Sequence, residues 1–186
     1  MNPETKFDKA FESAFKDRDN FINYVKTFSD EQAFWKPPNK EWSIAEGIEH
    51  TLLVDIFFRK SALEVLNEAQ KTRNWKTVLK SKEKMSLEAL RNREQGFVPS
   101  PESLLPKGRH DLQQMIKELY PSKMAIHESL ICFREIDLSS LVPNPRPKYG
   151  ALNIYERIYY SGIHDYLHQE QMIRTIQDKS FPNVGS

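Results

Sequence analysis

Cysteine is all but missing: Cys132 stands alone in the chain, which excludes an internal disulfide framework and any cysteine-rich zinc site and fits a reducing compartment. Long apolar runs are missing too. Stretches such as 52–54 are far too short to cross a bilayer, and the opening MNPETKFDKAF lacks the basic-then-apolar order of an export signal. A cytoplasmic protein without a membrane partner is expected. Charge of one sign is also lacking, since 27 Lys+Arg face 26 Asp+Glu for a net +1, with the two signs interleaved. No global field gathers nucleic acid, so no nucleic-acid partner is expected. Neither strand-like alternation nor an internal repeat is present. What remains, 186 residues of which 39% are hydrophobic, has the make-up of one compact domain over 1–186.

What is there is helical periodicity. Phe7, Phe11, Ala14, Phe15, Phe21, Ile22, Val25 and Phe28 recur at helical spacing after Asn2, a cap, and Pro3 at the first helical position. Ser29 and Gln32 form a capping-box pattern for a short turn that Pro37 and Pro38 end, and a corner follows at 38–42. Ser43 and Glu46 form a second capping box, opening a helix that carries Ile48, Leu52, Leu53, Ile56, Phe57, Ala62, Leu63 and Leu66 to about residue 70. The charged stretch 71–109, punctuated by Gly96, Pro99, Pro101, Pro106 and Gly108, is too long for an ordinary connection and reads as a crossover with one or two short helices. Leu112 to Phe133 keep one register across Pro121, predicting a helix over roughly 109–136 that continues through a kink. After the proline-rich LVPNPRPKYG, Asn153 caps a last helix carrying Ile154, Ile158, Leu167, Met172 and Ile176. The expected fold class is all-α: a four-helix bundle with long crossover connections.

Three histidines fall on two of these helices. His164 and His168 are four apart, so one helical face presents both, and His50 lies on the second helix among residues that face the bundle. A single histidine is better read as an ordinary buried side chain satisfied by a carbonyl or carboxylate. Three together change the weighing, because three neutral imidazoles leave a fourth position open, the arrangement of a catalytic zinc site rather than a closed structural one. His110 and His127 have no partners at ligand spacing and are read as non-ligands. A di-iron centre needs Glu-x-x-His on two helices, whereas only Asp165 precedes a histidine by three. The run His164-Asp165-Tyr166-Leu167-His168 differs from HExxH in carrying Asp where the general-base Glu would stand, which argues against a zinc peptidase.

Three segments, FSDEQAFWKPPNKEWSIAEGIEH, LLPKG and GALNIYERIYYSGIHDYLHQEQ, together resemble the DinB/YfiT-like family of metal-binding four-helix proteins over most of the chain. The resemblance implies an up-down-down-up bundle, with one metal ligand at the end of W-S-x-x-E-x-x-x-H and two in a final H-x-x-x-H. Here those positions are His50, His164 and His168. It further implies zinc or nickel, a homodimer, and activity as a metal-dependent hydrolase or as a transferase or isomerase using a low-molecular-weight thiol, with a small-molecule substrate as partner. A role in DNA binding is suggested only by the family's name and has no basic stripe behind it. Pro121 and the Asp165-Tyr166-Leu167 run depart from the pattern without touching a ligand position.

A histidine-bound cation acidifies a bound water or thiol, so no protein nucleophile is required. Cys132, flanked by Ile131, Phe133 and Ile136, is expected in the core. Tyr160 and Gln171, one turn from His164 and His168, are placed to orient a ligand. Glu46 is engaged by its capping box, Glu49 points elsewhere on its helix, Asp55 could reach the pocket only from a bent helix, and no general base is named. The rival expectation is a non-catalytic binding or stress-response bundle whose metal is structural.

Overall fold

The computed structural model describes residues 1–38, 41–76, 83–94, 96, 99–144 and 149–182. The corner at 39–40, parts of the crossover (77–82, 95, 97–98) and 145–148 of the proline-rich connection lie outside the described residues. Six α-helices are present among them: α1 Pro3–Val25, α2 Asp30–Phe34, α3 Ile44–Thr72, α4 Leu87–Arg91, α5 Leu112–Leu130 and α6 Ile154–Thr175. The capping residues act as their chemistry requires. Asn2 accepts from the Thr5 amide, and Ser29, Ser43 and Asn153 each close a reciprocal box with Gln32, Glu46 and Glu156. The helix expected over 109–136 is shorter, because Asp111 caps Gln114 at its start and the chain tightens into a 3₁₀ turn at Ile131–Phe133. It runs unbroken through Pro121. The crossover holds α4 and a 3₁₀ turn at Glu102–Leu104.

Side-chain pairings fix the directions of the four long helices. Lys6 over the Tyr155 ring and Arg18 on Asp165 make α1 and α6 parallel. Phe11 against His127, with Arg18 on the Leu119 carbonyl, makes α5 antiparallel to α1. Asp55 meets Lys123, so α3 runs with α5, while His50 beside His168 makes α3 antiparallel to α6. The order is therefore up-down-down-up, as the resemblance implied. At Gly162, α6 lies close against α1: a Cβ there would come within 2.9 Å of the Ala14 Cα, a position only glycine fits.

The apolar interior has three clusters among the described residues. Phe7, Phe11, Leu66, Leu130 and Ile158 anchor one, Phe21, Ile48, Leu119 and Met172 a second, and Leu90, Leu152, Ile163 and Leu167 a smaller third. Cys132 departs from expectation: it is exposed. It sits in the 3₁₀ turn after α5, where three residues per turn replace 3.6 and rotate the side chain away from the buried stripe, which Phe133 holds instead. Among the described residues, no helix is long and apolar enough to cross a membrane.

Candidate metal centre

Two helices bring His50, His164 and His168 together, α3 supplying the first and α6 the other two. The Ser43 box starts α3 so that His50 falls two turns in on the inner face, and the Asn153 box sets the register of α6. One nitrogen from each ring lies within 4.8 Å of the others, and ring centroids are 4.5 to 5.1 Å apart. The Nε2 atoms of His164 and His168 are 3.2 Å apart. Two nitrogens bound at ~2.05 Å to one tetrahedral ion sit about 3.3 Å apart, so this pair has the spacing of two ligands on one cation. His50 and His168 have fixed far edges: His50 Nδ1 donates to the Leu104 carbonyl at 2.7 Å, and His168 Nδ1 to Gln171 Oε1 at 3.2 Å. Both interactions leave Nε2 as the lone-pair nitrogen, aimed inward.

Electrostatics favour the neutral, metal-binding form of all three. Burial pushes His50 down, against the Leu104 carbonyl, which raises it. Burial, then the neighbouring imidazoles of His168 and His50, hold His164 well below its ordinary value. Burial likewise takes His168 down to about 3. Trp42 covers the site, its ring 4.6 Å from His50 and stacked at 14° over His168.

A family model for the DinB superfamily matches residues 16–172. The chain belongs to the DinB superfamily. It is similar to the uncharacterized protein YuaE of Bacillus subtilis (strain 168), 28% identical over 160 residues that span 84% of this chain and 90% of that one. No solved structure matches. Superfamily membership and the cluster of three histidines together fit the binding of a divalent metal ion.

Around this DinB centre the other expected residues separate. Gln171 touches His168, whereas Tyr160 lies with its ring 6.2 Å from His164 and lines the adjoining cavity. His110 and His127 stand apart, against the rings of Phe34 and Phe11. Asp55 faces the bundle centre rather than the histidines. There it forms a buried cluster with Arg18, Lys123 and Asp165, one residue from each long helix. Arg18 grips Asp165 through two bonds of 2.9 Å and reaches Asp55 at 2.8 Å, and Lys123 reaches Asp55 at 3.0 Å and Asp165 at 3.4 Å. Two cations meet two carboxylates directly beneath His164.

Glu49 has a role that its position beside His50 did not disclose. Its Oε2 accepts from the Gly108 and Arg109 amides at 3.0 and 3.1 Å. Adjacent residues of α3 thus hold the two ends of one strap, His50 at Leu104 and Glu49 at Gly108–Arg109. Glu49→Ala should cost about 1.5–3 kcal/mol, the range for hydrogen bonds to a charged acceptor, and should accelerate hydrogen exchange at both amides. Glu49→Gln, which keeps an acceptor oxygen, should recover most of the loss; equal loss in urea unfolding of the two variants would refute the strap.

Proposed function

We propose that this DinB protein is a metal-dependent enzyme that holds one divalent cation, zinc or nickel, on His50, His164 and His168 and acts on a small electrophile by hydrolysis or by transfer of a low-molecular-weight thiol. The observation that carries this reading is the convergence of three neutral imidazoles at ligand spacing beside a cavity that two of them, His50 and His164, help to line. A closed structural site would be surrounded by protein on every side; this one has open space next to it. Bound there, the cation supplies a Lewis acid that acidifies a water or thiol at the position the histidines leave free.

The chain's own residues do the rest. Leu104 and Gln171 fix the ring orientations, so little rearrangement accompanies binding. Val54, Phe57, Phe58 and Pro101 line the cavity with apolar surface that excludes bulk water and strengthens polar interactions inside. Burial, together with Tyr149, pushes the Tyr160 phenol well above its ordinary value, so it keeps its proton and can donate it in a hydrogen bond. No protein thiol is near, since Cys132 lies beyond the far end of α5.

Equilibrium dialysis against zinc and nickel, followed by metal analysis, should give one equivalent per chain. The loaded protein should then consume an electrophile such as 1-chloro-2,4-dinitrobenzene with water or with one of a panel of small thiols, and chelation should stop it. No stoichiometric uptake defeats the metal centre. Uptake with metal-dependent stability but no turnover of any electrophile leaves the structural-metal bundle as the reading.

A further inference from the structure

We propose that Trp42 is a positioning residue of the metal centre: its indole face stabilises the positive charge that a bound cation delivers to the His168 and His50 rings, and so raises the site's affinity for the ion. The proposal rests on the three-histidine metal reading. The indole is half-buried, lies 4.6 Å from the His50 ring at 54°, and stacks over the His168 ring at 14° with 6.0 Å between centroids. Both histidines are buried, so little water competes for the contact. Trp42 directly precedes Ser43, whose hydroxyl accepts from the Glu46 amide and whose own amide donates to the Glu46 carboxylate. That cap ties the indole to the start of the helix that carries His50.

Charge explains what an indole does there. Three neutral imidazoles bring no negative charge to a dication, and among the described residues the group able to hold an ion contains no carboxylate. The cluster of Arg18, Asp55, Lys123 and Asp165 beneath His164 contributes two charges of each sign, which cancel. Part of the ion's charge therefore rests on the ligand rings. Aromatic faces carry a negative potential, strongest for tryptophan, and attract a cation within about 6 Å of the ring centroid. The near-parallel stack presents that face to the His168 plane. With no ion bound, burial keeps His50 and His168 neutral, and the indole is an ordinary aromatic neighbour. The attraction thus belongs to the metal-bound state, so it enters the affinity for the ion and not the stability of the metal-free bundle. A role in packing alone would be filled as well by any side chain of the same shape.

Zinc affinity of the full chain, measured by competition with a chromophoric chelator, tests this. Trp42→Leu should bind zinc about 2–30-fold more weakly, the range of one cation–π contact, and Trp42→Phe should fall between it and the wild type. A smaller side chain could also let the histidines shift, so the deciding arm keeps the shape and changes only the electrons. Wild-type protein carrying 5,6,7-trifluorotryptophan should bind zinc more weakly than unlabelled protein, with 5-fluorotryptophan intermediate, because fluorine draws density from the ring face at nearly constant size. The same labelling of Trp42→Phe reaches only Trp35 and Trp75 and should leave its zinc affinity unchanged. One equivalent of zinc bound with an affinity indifferent to fluorination overturns the proposal and leaves the metal centre standing. Equal weakening in labelled Trp42→Phe also overturns it, since the effect would then arise at Trp35 or Trp75. Absence of zinc uptake by the unlabelled wild type defeats the metal centre itself, and this proposal with it.

Discussion

Lys123→Met should lower the unfolding free energy by about 3–5 kcal/mol, the cost of removing one member of a buried ion cluster and leaving its partners uncompensated. Against a total of roughly 5–15 kcal/mol for a domain, that is enough to unfold a marginal protein. Lys123 is fully buried and donates to Asp55 and to the Ser161 carbonyl. Methionine matches its length but supplies neither charge nor donor, so Asp55 and Asp165 would share Arg18 alone. The double variant Lys123→Met/Asp55→Asn removes one charge of each sign and should be more stable than Lys123→Met. Urea unfolding of the wild type, Lys123→Met, Asp55→Asn and the double variant gives the coupling directly; additive losses would show that the four charges do not act as a unit.

The same cluster predicts a pH dependence with a definite sign. Burial raises the Asp55 carboxyl, but Arg18 and Lys123 outweigh it and hold the group below its ordinary value of 3.8. A depressed carboxyl contributes stability that is fully present above its unfolded value and is lost as pH falls through its folded value. The stability gap between wild type and Asp55→Asn should therefore stay constant from neutral pH down to about 4 and close below it. Burial and the Asp55 charge raise the neighbouring Asp165 carboxyl, so a gap that narrows already between pH 7 and 5 would mean that the two carboxylates are not both held ionised by Arg18 and Lys123.

Much of this architecture was legible in the letters because local chemistry fixed it. Asn2, Ser29, Ser43 and Asn153 each satisfy orphan amides three residues on, so the starts of α1, α2, α3 and α6 could be read before any packing was known. The i,i+4 histidines likewise had to share a face once α6 formed. The up-down-down-up order came from resemblance, since periodicity says which face is buried but not which neighbour buries it. The charge cluster escaped notice, although a signal was present. Arg18 lies four after Ala14, Lys123 four after Leu119, Asp55 three after Leu52 and Asp165 seven after Ile158, so each sits on its helix's apolar stripe. Read one at a time they look like interruptions; only summed do they cancel. The partners of Glu49 and the position of Trp42 depend on loops returning to the bundle, which no helical repeat encodes. Cys132 was misplaced because the α register was extended into a 3₁₀ turn.

His164→Ala should weaken zinc binding by a hundredfold or more. Structural zinc sites with four ligands bind with about 10–16 kcal/mol, or about 3 kcal/mol per ligand, and a three-histidine site loses a third of its donors in this variant. Gln171→Ala keeps every ligand and removes only the acceptor on His168 Nδ1, so a smaller loss of about 10–100-fold is expected. That ordering separates a ligand from a residue that merely orients one. Thermal unfolding gives an independent measure. Zinc at a hundred times its dissociation constant adds about 2.7 kcal/mol, and at about 2–4 °C per kcal/mol for a chain of this size the wild-type midpoint should rise by about 5–10 °C. His164→Ala should show no such rise at the same zinc concentration, while its metal-free midpoint stays near the wild type's, because the lost ring also relieves the crowding of three mutually facing imidazoles. Zinc affinity within about threefold of wild type would remove His164 from the ligand set, and with it the argument that the 3.2 Å nitrogen pair on α6 is built to grip one ion.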